Sequence, residues 1–245
     1  MKIKTNVKAG FEPNKTGSNH NQAAVRSLQV KIDRSKREMI EENVRSLYGD
    51  AHIAPCPFTS AEISELDETG ELLIYLPANL SVSQLCDKFG IKANINFDIE
   101  QMIRNVMVKE NQWFIASANN TPELIYRSAQ AAKRIYEDEG LHGMDVRRYL
   151  AFAGTFKQQF GSLPDQSYWS FLLSGSYDRS GVSIIGFDVH GILNHHGWMK
   201  NFKAKFTGSR YIVIAPRLEI TRDTETISRA YRGRLGDVGQ EADMD

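Results

Sequence analysis

The chain has 245 residues, of which 41% are hydrophobic and 24% charged, with 30 basic and 30 acidic side chains. This length and composition suit one large domain that buries a sizeable core. The zero formal net charge argues against a whole-protein field that attracts nucleic acid or anionic membranes. Such a partner would have to bind a local patch.

Two cysteines, Cys56 and Cys86, are too few for a disulfide framework and form no C-x-x-C metal motif. We therefore expect a reduced, cytoplasmic protein. No run of residues approaches the eighteen apolar positions that span a bilayer, which predicts no membrane partner. The opening, MKIKTNVKAGFEP, lacks the apolar segment of a secretory signal.

Residues 1–31 are predicted to form a basic, flexible arm. They hold six basic side chains against Glu12 alone, a net +5, and few large apolar residues that could anchor them. Such an arm suits docking on a neighbouring subunit or another protein, or contact with nucleic-acid phosphates. Nucleic acid is the weaker alternative, because Phe11 is the only aromatic residue in the arm. The residues predicted to contact a partner are Lys2, Lys4, Lys8, Lys15 and Arg26.

The arm also carries a resemblance. Its opening K-I-K-T-N-V-K-A-G, followed by Asn19-His20-Asn21 and Val25-Arg26, resembles the start of small bacterial peptides that serve as ribosomally made precursor or leader peptides. The resemblance covers residues 1–26 and implies a segment that another protein recognises.

The first half of the chain predicts helices mixed with two early strands. Amphipathic periodicity indicates helices over residues 32–48 and 97–108, and a serine cap followed by Gly90 indicates a short helix ending near Lys88. Residues 50–60 are predicted to be extended around Cys56, which lies between two prolines. Strand-forming runs occupy residues 71–77 and 113–117.

Two further helices are predicted before the strand-rich region at residues 167–217 begins. Thr121-Pro122-Glu123 combines a capping residue, a proline and an acid, which is typical of a helix start, and the helix is expected to continue to Glu139. Asp145 is expected to begin another helix, because apolar residues recur after it at helical spacing until Gly161.

Residues 167–217 predict an antiparallel meander, because strand-forming runs alternate with short polar loops. The strands are expected over residues 168–173, 182–190, around 198–206 and over 211–216. The fold class is therefore α+β, with a single domain over residues 32–218 and a charged tail over 219–245. Residues 70–215 are similar to an uncharacterised bacterial domain family, through Trp198 and Gly208 to Arg210. The family carries no assigned activity.

The predicted strands contain one constellation with metal-ligating chemistry. Asp188 and His190, two residues apart in the predicted strand, would share one face, and His195 and His196 follow after a turn-like segment. Zinc and iron sites combine imidazoles with a carboxylate, so these four residues are a candidate metal site. The spacing is not the helical H-E-x-x-H, and structural or surface histidines are the alternative explanation.

A second candidate is an anion site at Gly208, Ser209 and Arg210, where exposed amides and a guanidinium precede a strand. Phosphate-binding loops and nucleophile-elbow motifs are absent from the sequence. The sequence therefore favours a non-enzymatic binding or self-assembly protein without a cofactor, whose arm docks on a partner or a neighbouring subunit. A metal-dependent hydrolase and a nucleic-acid-binding protein are the alternatives.

Overall fold

A computed structural model describes residues 36–49, 53–78, 80–94, 110–176 and 181–215. Five helices lie in these ranges. They are α1 at residues 36–48, α2 at Ser60–Glu68, α3 at Val82–Phe89, α4 at Ala129–Asp138 and α5 at Val146–Phe160. The arm, the tail and the helix predicted at residues 97–108 lie outside the described residues.

Nine strands form two sheets within the described ranges. Their bounds are β1 Glu71–Leu76, β2 Lys92–Asn94, β3 Gln112–Ser117, β4 His142–Gly143, β5 Trp169–Ser176, β6 Gly181–Phe187, β7 Ile192–Met199, β8 Thr207–Ser209 and β9 Tyr211–Ile214. The first sheet has the order β1-β3-β9-β4 and the second has the order β2-β7-β6-β5-β8. The predicted α+β class is confirmed.

The antiparallel meander consists of β5, β6 and β7. Two short strands join its edges in parallel, β2 beside β7 and β8 beside β5. β9 leaves the meander and pairs with β3 and β4 in the first sheet. The chain therefore crosses between the sheets within Ser209–Tyr211, where Arg210 stands.

Helix α5 forms the centre of the core. Asp145 caps its first turn by accepting the amide N–H of Arg148, and Gly161 ends it in the left-handed region at φ 71°. Leu150, Phe152 and Ala153 are fully buried. The helix packs against β1 of the first sheet, and its Tyr149 stacks on Phe187 of the second sheet. One helix thus contacts both sheets and joins them in one apolar cluster.

Three predicted elements have wrong bounds. Thr121 does not begin a helix: α4 begins at Ala129, capped by Ser128, because residues 121–127 instead lie along β8. β6 ends at Phe187, and the third strand of the meander spans Ile192–Met199 rather than residues 198–206. Helix α2 lies just after the predicted extended segment, and its start carries a capping box between Thr59 and Glu62.

Candidate functional site

The four candidate metal ligands occupy different environments. Asp188 and His190 do not share a strand face, because both lie in the turn that joins β6 to β7. The Asp188 carboxylate accepts the amide N–H groups of Ile192 and His190, each at 2.9 Å. These hydrogen bonds lower the pKa of Asp188, and the bond from Ile192 has the largest effect. The carboxylate therefore stabilises the turn.

His195 and His196 are adjacent in β7, so their side chains point to opposite faces of the sheet. His195 is 3% exposed, and its burial, together with the nearby His196, lowers its pKa to about 4. His196 is exposed and its ring lies 5.5 Å from that of Trp169. Within the described ranges, no three His, Cys, Asp or Glu side chains are grouped closely enough to hold a metal ion. The metal site stays a prediction.

The candidate anion site already holds an internal carboxylate. Arg210 is 1% exposed, and it donates from Nη2 to Asp165 Oδ1 at 2.6 Å and from Nε to Asp165 Oδ2 at 3.0 Å. Burial is the largest single effect and lowers the pKa of Arg210, but the charge and hydrogen bonds of Asp165, together with the charge of Glu123, outweigh burial and raise the pKa. Asp165 is fully buried and also accepts the hydroxyls of Tyr149 and Ser170. An external anion at Gly208–Arg210 would have to compete with this pair.

Glu123 is the second acidic group beside Arg210. Its Oε1 lies 3.8 Å from Arg210 Nη1, and both atoms are buried without a hydrogen-bond partner among the described residues. Burial raises the pKa of Glu123 to about 7, although the Arg210 charge opposes the shift. The cluster of Glu123, Asp165 and Arg210 is internal, and it fixes the segment that carries Glu123.

That segment, residues 121–127, lies along β8 in a strained conformation. The Glu123 carbonyl accepts the Ser209 amide, and the Tyr126 amide donates to the Thr207 carbonyl, both at 2.9 Å. Leu124 has φ 48° and Tyr126 has φ 65°, in the left-handed region that bulky residues rarely adopt. Tyr126 lies at the surface, where it is 50% exposed.

Tyr126 lies beside an exposed surface that sequence reasoning missed. We define the aromatic–lysine surface by Tyr126, Trp198, Met199, Lys200, Phe202, Lys203, Lys205 and Phe206. Trp198 is 41% exposed, Met199 64% and Phe206 50%. Large exposed apolar side chains that stand together mark binding sites more often than those that stand alone.

Ring contacts organise this surface. The rings of Trp198 and Phe202 lie 5.2 Å apart in an edge-on arrangement. The Lys203 ammonium lies over the Tyr126 ring, 5.0 Å from its centroid, which is a cation–π contact. Phe202 is partly buried against the cluster that contains Phe171 and so anchors the loop to the sheet. The aromatic residues and lysines therefore share one surface.

The charged side chains that define this surface are all lysines. Lys200, Lys203 and Lys205 are exposed, and the sequence contains no acidic residue between Asp188 and Glu219. Glu123, which lies close in the chain to Tyr126, is turned inward to Arg210. Although the protein is neutral overall, this patch is basic. The sequence signal was visible: the three aromatic residues at 198, 202 and 206 alternate with three lysines.

A separate groove of about 310 Å³ lies between α1, α2, β1 and α5. Its floor is apolar, with Ile40, Val44 and Leu73 among its lining residues. Asp67 on its rim pairs with Lys36 at 2.5 Å. Among the described residues that line the groove, no cluster of reactive groups occurs. Burial raises the pKa of the Cys56 thiol to about 11, so this cysteine is not a reactive thiolate.

No described helix has the length and apolar character required to cross a membrane. Comparisons with known proteins found no family model, no curated protein and no solved structure that matches this chain.

Proposed function

We propose that the protein is a non-enzymatic binding protein whose partner is nucleic acid, bound through the aromatic–lysine surface. The observation that carries this proposal is the combination of exposed aromatic rings with three lysines in a stretch, residues 198–206, that contains no acidic residue. Lysines neutralise phosphates, and aromatic rings stack on bases. The sequence suggests nucleic-acid binding through the arm as an alternative, whereas this proposal assigns the binding to a folded surface.

The buried charges support binding rather than catalysis. Arg210, Asp165 and Glu123 face one another in the interior, and the Asp188 carboxylate accepts backbone amides. A catalytic group must come within hydrogen-bond distance of its substrate. Arg210, Asp165 and the Oε1 atom of Glu123 are buried away from any substrate, and the Asp188 carboxylate is occupied by backbone amides, whereas the aromatic–lysine surface is open to solvent.

Charge also favours nucleic acid over a second copy of the chain at this surface. A two-fold dimer interface places the same patch on both subunits. Lys200, Lys203 and Lys205 would then approach the same three lysines of the other copy, and the repulsion would oppose association. A polyanion with flat bases complements both the charge and the rings.

The experiment is a salt titration of binding to a fluorescein-labelled 12-nucleotide oligothymidine. If each lysine neutralises one phosphate, three contacts give a slope of log K against log salt of about −2. Lys203→Gln should weaken binding and reduce the slope by about 0.7. The matched control is Lys92→Gln, because Lys92 is exposed on β2 opposite Ile192, at the other end of β7 from Trp198. Equal effects of the two variants, or binding that salt does not weaken, would contradict the proposal.

The arm at residues 1–31 remains a separate proposal for assembly. Its support is its composition, with a net charge of +5. Deletion of residues 1–31 should convert an oligomer into a monomer, measured by light scattering. A wild-type chain that is monomeric at high concentration would rule out assembly through the arm.

We also propose a cytoplasmic location, supported by the burial of Cys56 and Cys86 as thiols.

A further inference from the structure

We propose that the aromatic–lysine surface selects single-stranded over double-stranded nucleic acid. This inference rests on the proposed function and names the form of the ligand. Electrostatic attraction alone would favour the duplex, because its phosphates are more densely spaced. The selectivity must come from the aromatic residues and from the shape of the loop.

The aromatic rings are available only to unpaired bases. Trp198, Phe206 and Tyr126 each expose between 41% and 50% of their surface. In a duplex the base faces are covered by neighbouring base pairs, whereas a single strand can turn its bases outward onto aromatic rings. Stacking of this kind tolerates any sequence, because every base has a flat face.

The loop has no element that reads a duplex groove. Duplex recognition normally inserts an α-helix or a two-stranded ribbon into the major groove. β7 ends at Met199, and residues 200–206 form turns without a helix or strand. The lysines therefore stand on a short irregular loop between rings, which suits a flexible backbone that follows the surface.

Backbone strain at Tyr126 is an independent observation that favours a binding role. Strained residues of this kind persist where the surrounding structure holds them, and they cluster at binding sites. Two backbone hydrogen bonds to β8 and the inward turn of Glu123 hold this segment in place. The segment thereby holds the Tyr126 ring in place under the Lys203 ammonium. A fixed ring loses less freedom when a base stacks on it.

The test measures the affinity of the full chain for oligothymidine of 12 nucleotides and for a 12-base-pair duplex in one buffer. We expect the single strand to bind at least tenfold more tightly. Trp198→Ala and Phe206→Ala should each weaken single-strand binding about 5- to 100-fold and change duplex binding little. The matched control is Phe160→Ala, because Phe160 on α5 is 48% exposed and outside the surface. Circular dichroism checks folding, and Trp198→Leu replaces Trp198→Ala if the alanine variant does not fold.

The outcomes separate the inference from the proposed function. If both forms bind equally and Lys203→Gln weakens both, the single-strand inference is wrong and the proposed function stands. If neither form binds, both proposals are wrong. If poly-glutamate or vesicles of anionic lipid bind as tightly as oligothymidine, charge alone governs the surface and the inference is again overturned.

Discussion

Replacement of Glu123 by glutamine should change how stability depends on pH. Burial raises the pKa of Glu123 to about 7 in the folded protein, against an ordinary value of 4.5. The folded state therefore keeps this proton at a pH where the unfolded chain has lost it. This group contributes most stability below pH 4.5, and the contribution falls as pH rises from 4.5 through 7.

The size of the effect follows from the shift. Each pKa unit corresponds to about 1.4 kcal/mol, so a shift from 4.5 to about 7 corresponds to roughly 3 kcal/mol. The side chain is 20% exposed, but its Oε1 atom is buried without a partner among the described residues. Glutamine cannot ionise and keeps nearly the same shape. Glu123→Gln should therefore gain about 3 kcal/mol relative to wild type between pH 4.5 and pH 8.

The assay is urea unfolding of both proteins at half-unit pH steps, followed by tryptophan fluorescence. The difference between the two free energies of unfolding isolates Glu123, because the titration of other groups largely cancels. If that difference stays constant from pH 4.5 to pH 8, Glu123 does not titrate with a raised pKa, and the description of the cluster is wrong.

Three other predictions concern stability. The wild type should lose about 2 kcal/mol of stability when the pH falls from 7 to 5, because His195 takes up a proton in the unfolded chain but, with its pKa lowered to about 4, stays neutral in the folded protein. His195→Leu should abolish this loss. Urea unfolding of the two proteins at pH 7 and pH 5 checks this. Asp165→Asn should cost about 3–5 kcal/mol in the same assay at pH 7, because it leaves the Arg210 charge buried without its main partner, and a loss below 1 kcal/mol would contradict the importance of the pair. Gly154→Ala should lower the free energy of unfolding by about 1–3 kcal/mol, measured by thermal unfolding, because a Cβ at residue 154 would overlap the ring of Phe89. Unchanged stability would show that α3 can move away from α5.

Local signals in the sequence predicted much of the fold. A serine cap and Gly90 bound α3 as expected, the structure selecting Ser81 rather than Ser83 as the cap, and Asp145 and Gly161 bound α5, because capping depends on residues within one turn. The capping box at Thr59 was equally visible and was overlooked. Such signals are local, and the structure preserves them.

The errors arose where distant contacts override local preference. Thr121-Pro122-Glu123 has the chemistry of a helix start, but Glu123 turns inward to Arg210, 87 positions away. The Asp165–Arg210 pair joins residues 45 apart and could not be read from spacing. These contacts hold residues 121–127 along β8 instead of in a helix.

The candidate surface was only partly predictable. The alternation of aromatic residues and lysines over 198–206 is visible in the sequence. The contribution of Tyr126 is not, because it depends on the pairing of its segment with β8. The sequence-based hypothesis placed a metal site at the histidines. The exposed aromatic rings nearby instead form the surface that supports the proposed nucleic-acid binding.

The most direct measurement of the central claim is a titration of the ¹⁵N-labelled protein with 12-nucleotide oligothymidine, observed at the tryptophan indole N–H resonances. Trp113 donates its indole N–H to the Ala54 carbonyl at 2.9 Å and is 4% exposed, so it serves as an internal control. We predict that the Trp198 resonance shifts with added oligothymidine while that of Trp113 stays in place. An unchanged Trp198 resonance under conditions of full binding would contradict the assignment of this surface.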